Sequence, residues 1–146
     1  MKIVLYSPNQ VLATSVLGGP LAAIFALKSN FDALGNQEGA NLVIRWGIAF
    51  VVAMLCLLPF LPQDFPQMVL PLAYSFAARG ICEALQLSRE QIAGDERYEF
   101  IPTNRLVTHS LSAMLVFLLV TLLWFGTLDH YGIIQLPEPS TSTPSL

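Results

Sequence analysis

Two stretches, Leu42 to Leu61 and Leu106 to Leu128, are almost unbroken runs of apolar residues, each long enough for a helix to cross a hydrocarbon core, which takes about 20 residues. A helix that is apolar on every side has to be buried all round or surrounded by lipid. A chain of 146 residues has no room to bury two such helices in water, and only 12% of its residues are charged, against about a quarter in soluble domains. The chain is therefore expected to be an integral membrane protein. It is all-α, because a helix satisfies its own backbone polar groups in lipid.

Two further segments complete an expected bundle of about four crossing helices. Ser7-Pro8 is a helix-start pattern, in which a serine oxygen caps free amides and proline has no amide to leave unpaired. A first crossing runs from there to about Leu27, kinked at Gly18-Gly19-Pro20, where proline removes a backbone bond and clashes with the preceding turn. Lys28 to Asn41 carries the Asn, Asp and Gly punctuation of a loop or broken surface helix. After the second run, Pro62-Gln63-Asp64-Phe65-Pro66 forms a tight turn. Gln67 to Leu87 gives a third helix that is more polar than the others. It either spans fully or crosses to about Arg79 and continues along the surface.

Ser88 to Arg105 is the largest polar loop. The expected organisation is one helical transmembrane domain over residues 1–136 and a disordered Pro/Ser/Thr-rich tail over residues 137–146. The N-terminal stretch reads as retained, because the apolar run after Lys2 is cut short by Ser7-Pro8-Asn9-Gln10 and lacks the layout of a cleavable signal. Lys28, Arg45, Arg89, Arg97 and Arg105 fall in or beside the first and third loops, with only Lys2 on the other side. The positive-inside rule then places both termini outside the cytoplasm.

Ionisable side chains at membrane depth are costly and commonly face a bundle interior. On a helix, Ser75, Arg79, Glu83, Gln86 and Glu90 form a polar stripe in which Arg79 and Glu83 can pair. Ala73, Ala77, Gly80 and Ala84 form a neighbouring small-residue stripe that would admit a second helix closely. With His109 and Arg45 expected at similar depth, Arg79 and Glu83 make up the candidate polar cluster, read either as a pocket or as interfacial side chains reaching headgroups. Gly18, Gly19 and Pro20 are read as a packing kink or as a broken helix whose backbone could hold an ion.

Several classes are excluded. A net charge of −3 with no dense basic run argues against nucleic acid. Cys56 and Cys82 have no Cys-x-x-Cys spacing, the acidic loop lacks the glycine turn of a calcium site, and no serine sits in a Gly-x-Ser-x-Gly motif. His109 and His130 lie at opposite ends of one helix, so neither a metal nor a haem is expected, and no cofactor is assigned.

The segments Tyr6-Ser7-Pro8-Asn9-Gln10 and Val16-Leu17-Gly18-Gly19-Pro20-Leu21-Ala22, with Asn30 and Leu34-Gly35 after them, resemble the start of small, uncharacterised multi-pass bacterial membrane proteins. The resemblance covers about the first quarter of the chain. It implies a bacterial inner-membrane location and carries no activity. The expected function is a non-enzymatic accessory, assembly or immunity-type module whose partners are the bilayer and another membrane protein or further copies of itself. The alternative is a subunit of an oligomeric channel or transporter using the polar stripe. A membrane enzyme built on Glu83 and His109 ranks third.

Overall fold

The computed structural model describes residues 2–62 and 64–134; the expected disordered tail lies outside the described residues. The chain is mainly helical: β1 (Ile3–Leu5), α1 (Pro8–Ala33), α2 (Gln37–Leu57) with a short 3-10 turn after it (Leu58–Phe60), α3 (Val69–Leu85), α4 (Arg89–Gly94), β2 (Tyr98–Phe100) and α5 (Thr103–His130). Three helical stretches among the described residues, Pro8–Ala33, Gln37–Phe60 and Thr103–His130, are long and apolar enough to cross a membrane. The polar third segment forms α3, at 17 residues shorter than these.

α1 begins as its sequence dictates. Ser7 Oγ accepts from the Gln10 amide, Gln10 Oε1 accepts from the Ser7 amide, and Pro8 occupies the first turn. The helix is not one rod, however. Gly19 has φ 77° and ψ −170°, a region that only glycine enters without strain. The two ends of α1 also meet: the Tyr6 amide donates to Asn30 Oδ1 at 2.8 Å, and Asn30 Nδ2 donates to the Tyr6 carbonyl at 2.8 Å. Twenty-four residues of straight helix would separate these groups by about 36 Å. Residues 8–18 and 20–33 are therefore the two arms of a helical hairpin folded back at Gly19.

This corrects the expected first crossing, which ended near Leu27 with its ends on opposite sides. The second arm also continues to Ala33, through the region expected to be a loop or a broken surface helix, before the turn at Gly35 (φ 73°) and the Asn36 cap of α2. Lys28 and Asp32, one turn apart, pair along this extension and support it as helix.

The hairpin is the centre of the fold. α2, α3 and α5 each pack on α1, with only marginal contact among themselves. Small residues permit the approach: a Cβ on Gly18 would fall 2.5 Å from the Ser110 carbonyl oxygen, and one on Gly47 2.5 Å from Ile24 Cγ1. Ala22 is buried along the second arm, and Ala23 and Ala26 share one continuous core with Ala78 and Cys82 of α3 and Leu106 of α5.

An element the sequence did not announce closes one end. β1 pairs in parallel with β2, Ile3 opposite Tyr98 and Leu5 opposite Phe100, and the Ile101 amide extends the ladder to the Leu5 carbonyl at 2.9 Å. The N-terminus, the 34–36 turn and residues 86–102 thus share one end of the bundle, here called the near end. At the far end, Trp124 Nε1 of α5 donates to the Leu55 carbonyl of α2 at 3.1 Å. That contact lies about 30 Å along each helix from its near-end start, the thickness of a hydrocarbon core. The expected topology put the N-terminus and residues 88–105 on opposite sides; strand pairing puts them on the same side.

Candidate functional site

At the near end, a buried polar knot ties four elements together. Asn30, 2% exposed, holds both backbone groups of Tyr6, and its Nδ2 also donates to Gln86 Oε1 at 2.8 Å. Gln86 Nε2 in turn donates to the Leu27 carbonyl at 2.9 Å. The Tyr6 hydroxyl lies 2.7 Å from His109 Nδ1, while Gln10 Nε2 donates to the Ile101 carbonyl at 2.9 Å. Burial pushes the Tyr6 phenol up to about 12, so it remains protonated at physiological pH. The Tyr6–Asn30 bonds join the two ends of the hairpin, and the others tie α1 or its lead-in to Gln86, Ile101 and His109, which together fix the hairpin base.

The knot uses residues that sequence reasoning placed elsewhere. The sequence pattern puts Asn30 in the punctuation of a loop or broken surface helix and Gln86 on the outer part of a polar stripe. Their signal was an amide side chain at each end of an apolar helix, but the partner 56 positions away carries no local mark.

The candidate polar cluster is distributed over three surfaces. Arg79 Nη2 and Glu83 Oε1 pair at 3.1 Å on α3, with their side chains 38% and 48% exposed. Counting 100° per residue, this pair sits on the opposite side of α3 from Ile81. His109 joins the knot and rests edge-on against the Phe25 ring at 5.0 Å. Arg45 lies exposed on α2. The structure thus joins Arg79 to Glu83 and His109 to Tyr6, and among the described residues no hydrogen bond or ion pair links these two pairs to each other or to Arg45. Gly18 and Gly19 form the hairpin tip against α5, and buried Pro20 opens the second arm.

α3 presents distinct faces. Ser75, Ala78 and Cys82 are buried against α1. Ala73, Ala77, Gly80 and Ala84 are exposed, and a Cβ on Gly80 would meet nothing within 4 Å. The small-residue stripe is therefore left outside the bundle.

Because α2 and α3 both lean on the second arm of the hairpin without closing on each other, a groove of about 670 Å³ opens between them. Its floor includes Ile24 and Leu27, its α2 wall Leu42 and Trp46, and its α3 wall Ile81 and Leu85. Asn36 and Glu38 stand at its near-end mouth; at the inner end, Phe50 and Tyr74 meet with ring centres 6.2 Å apart. Among the described residues, no three of His, Cys, Asp and Glu converge to hold a metal ion.

No protein-family model, no curated protein and no solved structure matches this chain.

Proposed function

We propose that this chain is a non-enzymatic accessory module of the membrane, an assembly or immunity-type protein, that docks a helix of another membrane protein on the outer face of α3. The observation that carries this reading is the exposed stripe Ala73, Ala77, Gly80 and Ala84, with open space around Gly80. Small residues at this spacing let two backbones approach closely in lipid, where dispersion and not the hydrophobic effect drives helix association. Arg79 and Glu83 border the stripe and add a polar group that a partner can read.

The proposed insertion is re-entrant. The hairpin α1 enters from the near end and returns to it, while α2, α3 and α5 run between the two ends. All seven Lys and Arg residues fall on or nearer the near end, and none follows Arg105. The positive-inside rule then puts the near end, with the N-terminus, in the cytoplasm and the C-terminus outside. This replaces the expectation of two external termini. The sequence resemblance supports placement in a bacterial inner membrane.

The alternative, an oligomeric channel or transporter subunit, has less support. Arg79 and Glu83 lie away from the large groove, whose walls are apolar. A photo-crosslinking residue at Gly80 in native membranes, followed by purification in mild detergent, tests the docking reading. A defined adduct with one membrane protein is expected, and a Gly80→Ile variant of the crosslinker-bearing chain at Ala84 should lose it. A chain that crosslinks to no protein and purifies alone would overturn the proposal.

A further inference from the structure

The groove between α2 and α3 has a length and a rim that select one occupant. From Glu38 to Phe50 it follows α2 for about 18 Å, roughly half the distance between the near-end start of the helix and a full crossing. There it is closed by Phe50 against Tyr74. A partner helix crossing the bilayer needs a seat along the whole thickness, whereas a lipid tail needs one leaflet. The walls are apolar, and the groove volume of about 670 Å³ is that of a ligand site.

The rim specifies a headgroup. Glu38 is the charged residue lining the mouth, and it makes no ion pair among the described residues. Arg45 is exposed and lies seven residues on, two turns along the same edge of α2. Helical side chains lean toward the helix N-terminus, which for α2 is the near end, so a side chain as long as that of Arg45 can reach toward headgroup level. The mouth thus offers the Glu38 carboxylate, and the exposed Arg45 lies beside the groove two turns further along the same face of α2. Arginine suits a phosphate, and a carboxylate suits an ammonium.

We infer that the groove holds one tail of a phospholipid from the near-end leaflet whose headgroup carries a primary ammonium, with Glu38 facing the ammonium and Arg45 the phosphate. The groove shares Ala77 with the small-residue stripe of α3, but lipid binding in it requires no protein docked on that stripe.

Trp46 lines the groove and serves as the reporter once Trp124 is replaced, Trp124→Phe. The full chain is reconstituted in vesicles of equal parts phosphatidylethanolamine and phosphatidylglycerol, with bromine on the tails of one lipid or of the other. Composition stays fixed and only the quencher moves. Brominated phosphatidylethanolamine should quench Trp46 at about threefold lower mole fraction, the size of effect expected from one exposed charge pair. Glu38→Gln should abolish that difference, Arg45→Gln should weaken quenching by both lipids alike, and Ala77→Phe, which fills the groove from an exposed position, should reduce both to the level of random contact. Equal quenching by the two lipids in the unaltered chain would overturn the inference, as would a preference that survives Glu38→Gln. Glu38 and Arg45 are exposed, so those variants keep the test decisive even if Ala77→Phe fails to fold.

Discussion

Asn30 holds Tyr6 by both of its backbone polar groups, accepting from the amide and donating to the carbonyl, each at 2.8 Å. The two residues are 24 apart in a segment whose length and apolarity would suit a single crossing. The clamp turns that segment into a hairpin. Asn30→Ala would strand the Tyr6 amide and carbonyl and one acceptor of Gln86 in a buried site, at about 1–3 kcal/mol for each unsatisfied group. We expect a loss of about 3 kcal/mol or more in denaturant unfolding from micelles, with Gln86→Ala costing less because it removes two bonds of the knot.

The hairpin tip makes a glycine series diagnostic. Gly19→Ala forces a Cβ into a backbone region reserved for glycine and should cost about 1–3 kcal/mol. Gly18→Ala drives a Cβ against the Ser110 carbonyl and Ala22 and should cost a similar amount through overpacking. Gly80→Ala meets open space in a helix interior and should stabilise by about 0.5–1 kcal/mol. Unfolding midpoints of the three variants, measured side by side, check the order. A Gly19→Ala protein as stable as the parent would contradict the fold-back.

Much of this architecture was legible in the residues, and what was not has physical causes. The apolar runs of α2 and α5 declare themselves, as does the Ser7-Pro8 start, because length and capping are local properties. Gly18-Gly19-Pro20 announced a break, but a break has no angle in sequence; the angle is set by Asn30, whose partner is the backbone of Tyr6. The strands β1 and β2 are three residues each and lie 95 positions apart, too short to show alternation. The sharing of one bundle end by the N-terminus and residues 88–105 is hidden for the same reason. Lys2 is expected on the side opposite residues 88–105, and nothing local to it marks the pairing of β1 with β2 that puts it at the same end as Arg97.

Two hydroxyls run opposite to Asn30. Thr14 Oγ1 and Ser75 Oγ are buried with no hydrogen-bond partner among the described residues. A desolvated hydroxyl without a partner costs about 1–3 kcal/mol, so Ser75→Ala and Thr14→Val should leave stability unchanged or raise it by about 1 kcal/mol. Thermal unfolding in one detergent reads this directly. A loss comparable to that of Asn30→Ala would show that both groups have partners.

The near-end loop carries a pH signature. Arg97 donates to Asp95 through its side chain and backbone, and holds the Asp95 carboxyl down at about 2, from an ordinary value of 3.8. A depressed carboxylate contributes its stabilisation above the unfolded value and loses it as pH falls through the folded one. The turn before β2 should therefore stay intact at pH 4 and loosen as pH approaches 2. A carboxyl NMR titration in micelles should place the Asp95 midpoint near 2, and Arg97→Ala should return it toward 3.8.

The most direct test of the account is which residues share a side of the membrane. In a chain with Cys56→Ser and Cys82→Ala, single cysteines at Lys2, Asp64, Glu96 and Ile133 are probed with an impermeant maleimide on intact cells and after permeabilisation. The fold predicts that Asp64→Cys and Ile133→Cys react in intact cells, and that Lys2→Cys and Glu96→Cys react together, only once the membrane is opened. Labelling of Lys2→Cys from the same side as Asp64→Cys, with Glu96→Cys on the other, would mean that α1 crosses the bilayer as a rod and would contradict the hairpin.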